Sequence, residues 1–351
     1  MNKPSSKFIM YTSFIIVLAL IFIYLFTSRK EKELRFPDVV SSPDMNSLVE
    51  SGQTLHIELN EKRLAKRDSV IISYDNKRVN PANFKYELNT QNLSLGYQKV
   101  TISVYTGSKV KVIDLPFFIT SDITPIPLNF TKLANIPHDS KSYTQGFEIS
   151  GGMLYESAGQ YNESTIRKLN YKTGKIIKSV LLAGEYFAEG LTIMQGKVYQ
   201  LTWKEATCFI YDQDLNLVKK TSFRSTNGEG WGICNDGKSL IISDGSNKLT
   251  YLNPETLAVE KIISVYAGDN EVQYLNELEY VNGFIYANVY TTNQIVKIDA
   301  TSGKVTGVSD FSALKNENQD GEVLNGIAYN PVSGTFLITG KYWKSMYEVH
   351  M

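Results

Sequence analysis

The chain has 351 residues, 42% of them hydrophobic, and its 36 Lys and Arg balance 36 Asp and Glu. That is enough for two domains with sizeable cores, and a net charge of zero with no basic stripe excludes a nucleic-acid partner. Two cysteines (Cys208, Cys234) and three histidines (His56, His138, His350) without HxH or HExxH spacing exclude a disulfide-stapled scaffold and a zinc hydrolase. The two thiols are expected to be buried and free.

The first predicted element spans a membrane. Residues 8–26, FIMYTSFIIVLALIFIYLF, form an uncharged run flanked by Lys3 and Lys7 and by Arg29, Lys30 and Lys32. At helical rise the run reaches about the thickness of the hydrocarbon core. No small-x-small cleavage site follows, so residues 1–32 read as an uncleaved anchor rather than a removed leader. Basic residues on both flanks leave the orientation open. The expected location is membrane-anchored by this single helix, with everything after it on one side and extracytoplasmic, at the periplasm or cell surface.

Residues 33–122 hold a polar stalk and then β signals. Leu55–Leu59 and Val100–Val104 alternate apolar and polar, and Val110–Val112 follows a Thr106-Gly107-Ser108 turn. Short strands at this density predict a small immunoglobulin-like sandwich. Pro116, Pro125 and Pro127 mark a linker into the second domain.

Residues 123–351 repeat one phrase, a polar or aromatic residue, usually a glycine, and then an apolar strand. The copies are Gln145-Gly146-Phe147, Glu189-Gly190-Leu191, Trp231-Gly232-Ile233, Glu277-Leu278-Glu279 and Asn325-Gly326-Ile327, spaced by 44, 42, 46 and 48 residues. Each interval accommodates four short strands, and Gly-rich turns such as Gln195-Gly196 and Asn282-Gly283 punctuate them. The prediction is an all-β chain with a five-bladed β-propeller. The fifth unit lacks a fourth strand, which residues 127–133 are expected to supply, closing the ring.

In a propeller the phrases converge on one axis. That places Gln145, Glu189, Trp231, Glu277 and Asn325 in one ring, and Gly159, Trp203, Gly245, Tyr290 and Lys341 in a second. Glu277 and Glu279 are read either as cavity residues or as ties between blades.

The runs Tyr143-Thr144-Gln145-Gly146, Phe187-Ala188-Glu189-Gly190, Gly228-Glu229-Gly230-Trp231-Gly232, Leu275-Asn276-Glu277 and Leu324-Asn325-Gly326, with Thr339-Gly340-Lys341, resemble the plant-type and bacterial glutaminyl cyclases (glutamine cyclotransferases). The resemblance covers nearly all of residues 128–351. It implies a five-bladed propeller that converts N-terminal glutamine of peptides or proteins to pyroglutamate with loss of ammonia, without metal or other cofactor. It also implies Glu189 as the catalytic residue and Tyr143, Gln145, Phe187, Trp203, Trp231, Asn276, Tyr290 and Lys341 as substrate-binding residues. Tyr143 stands where phenylalanine is common and Tyr290 where tryptophan is. The other opening signature, His138-Asp139, is expected to be a structural turn.

Cyclisation needs a neutral α-amine to attack its own carboxamide, and a carboxylate that takes and returns a proton. Aromatic walls would raise the pKa of Glu189 by desolvation, while Gln145, Asn276, the indole N–H groups and Lys341 offer donors to the oxyanion. The expected partners are glutamine-initiated peptides or proteins and the membrane, and the expected state is a monomer. A non-catalytic propeller binding peptide termini or small ligands at the same mouth is the rival reading.

Overall fold

The computed structural model describes residues 34–351. The segment expected to span a membrane, residues 8–26, lies outside the described residues; among those described, no helix is long and apolar enough to cross one. Two compact units are present. One takes the residues up to Asp44 with His56–Tyr86 and Val100–Leu115; the other takes Met45–Leu55, Glu87–Lys99 and Pro116–Met351.

In the first unit Ser69–Tyr74 and Lys77–Val79 form a hairpin through Asp75 and Asn76, both at positive φ. Asp and Asn tolerate that region through local side-chain hydrogen bonding. Ile57, Leu59, Ile72, Ile102 and Val104 are buried at alternating positions, the period of a strand with one covered face. Residues 69–73 also pair antiparallel with residues 101–105. Pro116 lies inside the strand Lys109–Thr120 rather than in a linker.

The second unit is all-β, built of blade-like sheets and consistent with a β-propeller. The first blade comprises Thr144–Ser150, Met153–Ala158, Thr165–Leu169 and Ile176–Leu181. The second comprises Ala188–Met194, Lys197–Thr202, Thr207–Asp212 and Leu217–Ser222. The third runs Ile233–Asn235, Leu240–Ser243, Lys248–Leu252 and Val259–Ser264, and the fourth Leu275–Val281, Phe284–Val289, Gln294–Asp299 and Val305–Asp310. The fifth joins Leu324–Asn330, Thr335–Gly340 and Ser345–His350 to Thr131–Pro137. The innermost strands neighbour one another in the order first, second, third, fourth, fifth and back to the first, so the ring closes.

Burial follows from this arrangement. Every residue of Ala188–Met194 is buried, whereas most of Leu217–Ser222, at the rim of the same blade, is exposed. Apolar side chains from adjacent blades interleave, as where Cys234, Ile241 and Leu249 meet Leu278, Ile285 and Ile298. Each such buried aliphatic side chain contributes about 1.5–3 kcal/mol. Both cysteines are free and buried.

The closing strand lies four residues later than expected. Thr131–Pro137 pairs antiparallel with Ser345–His350, while Ile126–Pro127 runs parallel to Val305–Asp310 and caps the outer edge of the fourth blade. Pro127 has no N–H to give a ladder, which suits it to an outer edge rather than to an internal position.

A second correction concerns the repeat frame. Thr144, Ala188, Leu275 and Leu324 pair with Ala158, Thr202, Val289 and Gly340, and the register slips directly after each, one bulge in each of four blades. In this frame Asn276, not Glu277, is the equivalent of Gln145, Glu189, Trp231 and Asn325. Glu277 instead occupies the place of Gly146, Gly190, Gly232 and Gly326. A Cβ on Gly146 would lie 2.3 Å from Leu191 N, and one on Gly232 would lie 2.0 Å from Asn276 O. Neighbouring innermost strands therefore touch backbone to backbone, and bulges there re-aim the preceding side chain toward the channel.

Candidate functional site

The bulged positions and the starts of the second connections gather around a cavity of about 190 Å³ at the channel mouth. Its lining is Tyr143, Gln145, Gln160, Phe187, Glu189, Trp203, Trp231, Asn276, Tyr290 and Lys341. All nine residues singled out in the sequence are thus brought together, and Gln160 joins them. A volume of this size admits one amino-acid side chain with its terminal amine.

The walls are aromatic and interlocked. Phe187 packs edge-on against Trp203 at 5.6 Å between ring centroids and against Tyr143 at 6.0 Å; Trp231 packs edge-on against Tyr290 at 5.6 Å. Two ring positions are glycine because a neighbouring ring occupies the space. A Cβ on Gly159 would lie 2.4 Å from Phe187 Cε1, and one on Gly245 would lie 2.6 Å from the Trp231 indole.

Glu189 sits on this wall at 4% exposure, and its Oε1 accepts a hydrogen bond from Gln145 Nε2 at 2.9 Å. Gln145 cannot flip freely, because its own Oε1 accepts from Asn325 Nδ2 at 3.0 Å. Burial holds the Glu189 carboxyl well above the ordinary carboxylate range; the Lys341 ammonium opposes this, and the charges of Glu229 and Glu205 add to it. Lys341 is itself buried, which lowers its pKa to about 8 against the pull of Glu189 and Glu322. Its Nζ lies 4.4 Å from the ring centroid of Tyr143 and 4.7 Å from that of Tyr290, so two π faces stabilise the cation. The Asn276 side chain leaves its buried Oδ1 without a partner, an acceptor available to a ligand N–H.

One expected role is overturned. Both indole N–H groups are already engaged: Trp203 Nε1 donates to Glu229 Oε2 at 2.7 Å, and Trp231 Nε1 donates to the same oxygen at 2.9 Å. A single N–H cannot serve two acceptors well, so the indoles act as walls and leave oxyanion stabilisation to other groups. Glu229 and Asn325 were quoted in the motifs without a function. Gln160 had no sequence signal; it follows Gly159 in the chain and takes a φ of 120°, one that side-chain-bearing residues rarely adopt.

The remaining axial carboxylates lie away from the cavity. Glu277 bridges blades, accepting from Ile327 N of the fifth at 2.8 Å and from Phe147 N of the first at 3.2 Å. Burial nonetheless raises its pKa well above the usual value. Glu148 ties the first blade to the second through Thr192 Oγ1 and Ile193 N.

His138 belongs to the fold, within a buried network. Its Nε2 lies 2.9 Å from Glu156 Oε1, which also accepts from Ser142 and Thr144, and its Nδ1 lies 2.8 Å from Trp343 O. Burial alone would raise Glu156, but His138, Arg167 and Ser142 outweigh it and hold the carboxyl at about 2.

Comparison with known proteins agrees with this geometry. Residues 119–351 match the family model described as glutamine cyclotransferase. A curated glutaminyl-peptide cyclotransferase of Arabidopsis thaliana is 38% identical over 226 residues, covering 62% of this chain and 70% of that protein. The crystal structure of Myxococcus xanthus glutaminyl cyclase superposes with a TM-score of 0.60 at 34% identity, covering 64% of this chain and 97% of that one.

Proposed function

The chain belongs to the glutamine cyclotransferase family, and from that premise we propose how its cavity closes an N-terminal glutamine into pyroglutamate and releases ammonia. The reading rests above all on Glu189, a buried carboxyl held by Gln145 inside a cavity walled by Phe187, Trp203 and Trp231. The glutamine side chain enters between the rings, which exclude water and hold amine and carboxamide in line; such orientation is worth about 7–11 kcal/mol of barrier.

The neutral α-amine attacks the carboxamide carbon with its lone pair as the Glu189 carboxylate takes one of its protons. The N–C bond of the five-membered ring forms and the carbonyl oxygen becomes an oxyanion. Lys341 and the remaining N–H of Gln145 are the donors for that oxygen, and Asn276 Oδ1 accepts from a substrate N–H. Glu189 then returns its proton to the departing nitrogen; the C–N bond breaks and ammonia leaves. A carboxyl whose pKa is raised above the ordinary range suits both steps, since its anion takes a proton more readily and the acid so formed can return it.

The wider protein reads as a five-bladed propeller behind an immunoglobulin-like sandwich and a single membrane anchor at residues 8–26, monomeric, with the enzyme extracytoplasmic. A reporter fused after Met351 tests the side: export-dependent activity supports it, and cytoplasmic activity contradicts it. For the reaction, the full chain in detergent is mixed with a glutamine-initiated dipeptide. Ammonia and pyroglutamyl product should appear one to one, and their absence would sink the reading.

A further inference from the structure

We propose that Glu229 is a positioning residue of this cavity: one carboxylate oxygen clamps the indoles of two adjacent blades and fixes the slot between them. The inference rests on the cyclase reading for its effect on rate, while the clamp itself is tested without turnover.

The geometry is specific. Trp203 Nε1 and Trp231 Nε1 lie 2.7 and 2.9 Å from the same Glu229 Oε2. An indole has one donor and no acceptor, so that bond is the one polar contact that orients each ring within its packing. Bonds to an ionised acceptor are about twice as strong as neutral ones.

The carboxylate is also anchored from behind. Glu229 N donates to Asn227 Oδ1 at 3.0 Å, Ser225 Oγ donates to Glu229 O at 2.6 Å, and Gly230 N donates to Trp203 O at 2.9 Å. Asp244, buried at 1% exposure, holds the preceding turn through Thr226 N at 2.9 Å and Asn227 N at 3.1 Å. Gly228 takes a φ of 84°, and a Cβ on Gly230 would lie 2.5 Å from the Phe223 ring. The Gly-Glu-Gly-Trp-Gly run is thus a mount for one side chain, unlike a surface glutamate free to change rotamer.

A second consequence is electrostatic. The charged groups acting on Glu189 are Lys341, which stabilises its anion, and Glu229 and Glu205, which oppose it. The clamp therefore also helps hold the pKa of the proton acceptor above the ordinary carboxylate range.

The test separates the two effects. In the full chain labelled with ¹⁵N, three indole N–H resonances arise from Trp203, Trp231 and Trp343, the last bonded to Glu322 O. Glu229→Ala should move two of them upfield, leave the third in place, and lower kcat/KM by about a hundredfold, as misplaced walls do. Glu229→Gln keeps one oxygen able to accept both bonds. It should restore the two resonances and most of the rate. With its charge gone, the acidic limb of kcat/KM should move to lower pH, because Glu189 then sheds its proton more readily. The same dipeptide is used throughout, so titration of its amine is common to all profiles. Unmoved indole resonances in Glu229→Ala would overturn the clamp whether or not the protein turns over. Moved resonances with kcat/KM unchanged would overturn the positioning role, and an unshifted limb in Glu229→Gln would overturn the electrostatic one.

Discussion

Two buried glutamates, one at the channel mouth and one in the belt beneath it, show how the same side chain is put to different use. Glu189 and Glu277 are 4% and 1% exposed, and burial lifts both well above the ordinary carboxylate range. Glu277 stands where other blades have glycine, and both its oxygens accept backbone N–H groups from the first and fifth blades. Its accepting capacity toward those blades is used by the fold. Glu189 stands one step earlier in the repeat frame, takes a single donor from Gln145, and otherwise faces a cavity. A raised pKa therefore does not distinguish a catalytic carboxyl from a structural one; the count of satisfied bonds and the adjoining empty volume do.

The sharpest way to break the comparison is to substitute both. Glu189→Gln should lower kcat by about 10²–10⁴-fold, the usual share of a general acid–base, with peptide affinity largely kept. Glu277→Leu should leave kcat/KM of the folded fraction within a few-fold. It strands two buried N–H groups, at about 1–3 kcal/mol each, so denaturant unfolding should show a loss of about 2–6 kcal/mol. If the two phenotypes were exchanged, the division between mouth and belt would be wrong.

Glu156 extends the contrast to a carboxylate held by opposite charge, with His138, Ser142 and Thr144 on one oxygen. Glu156→Gln leaves the buried His138 without its carboxylate partner and Arg167 with Asp139 alone, which should cost about 3–5 kcal/mol of stability. Its folded pKa is depressed from 4.5 to about 2, so its contribution is complete above the unfolded value and is lost as pH falls from there toward 2. Wild type should lose stability across that window more steeply than Glu156→Gln; parallel curves would contradict the pairing. The smallest expected effect is Gly159→Ala. Its methyl would press on the Phe187 ring and lower kcat/KM by about tenfold, the low end of what one methylene does in an apolar pocket.

What was legible in the sequence follows from the same contrast. Blade spacing, turn chemistry and the polar residue before each glycine were readable because they recur. They brought Gln145, Glu189, Trp203, Trp231 and Lys341 to one cavity. The fourth repeat was misframed by one residue because Glu277 replaces the glycine that marks the others. The bulge after Leu275 puts Asn276, which the family resemblance already marked as substrate-binding, at the axial place in its stead. The Glu229 clamp was not legible for a different reason. A glutamate between glycines reads as a solvated turn until the fold brings two indole N–H groups from neighbouring blades to one oxygen. The closing strand was displaced because pairing with Ser345–His350, not the position of prolines, sets where it begins.

The account turns on the Glu189 carboxyl having its pKa raised toward the pH where it works, because aromatic walls have taken it out of water, so that it can both accept a proton and return it. Carboxyl titration by ¹³C NMR of the glutamate-labelled full chain, with Glu189→Gln identifying the resonance, measures this directly. The predicted result is a carboxyl that titrates well above 4.5 and shifts when a glutamine-initiated peptide binds. A Glu189 resonance titrating near 4.5 and indifferent to the peptide would contradict the account.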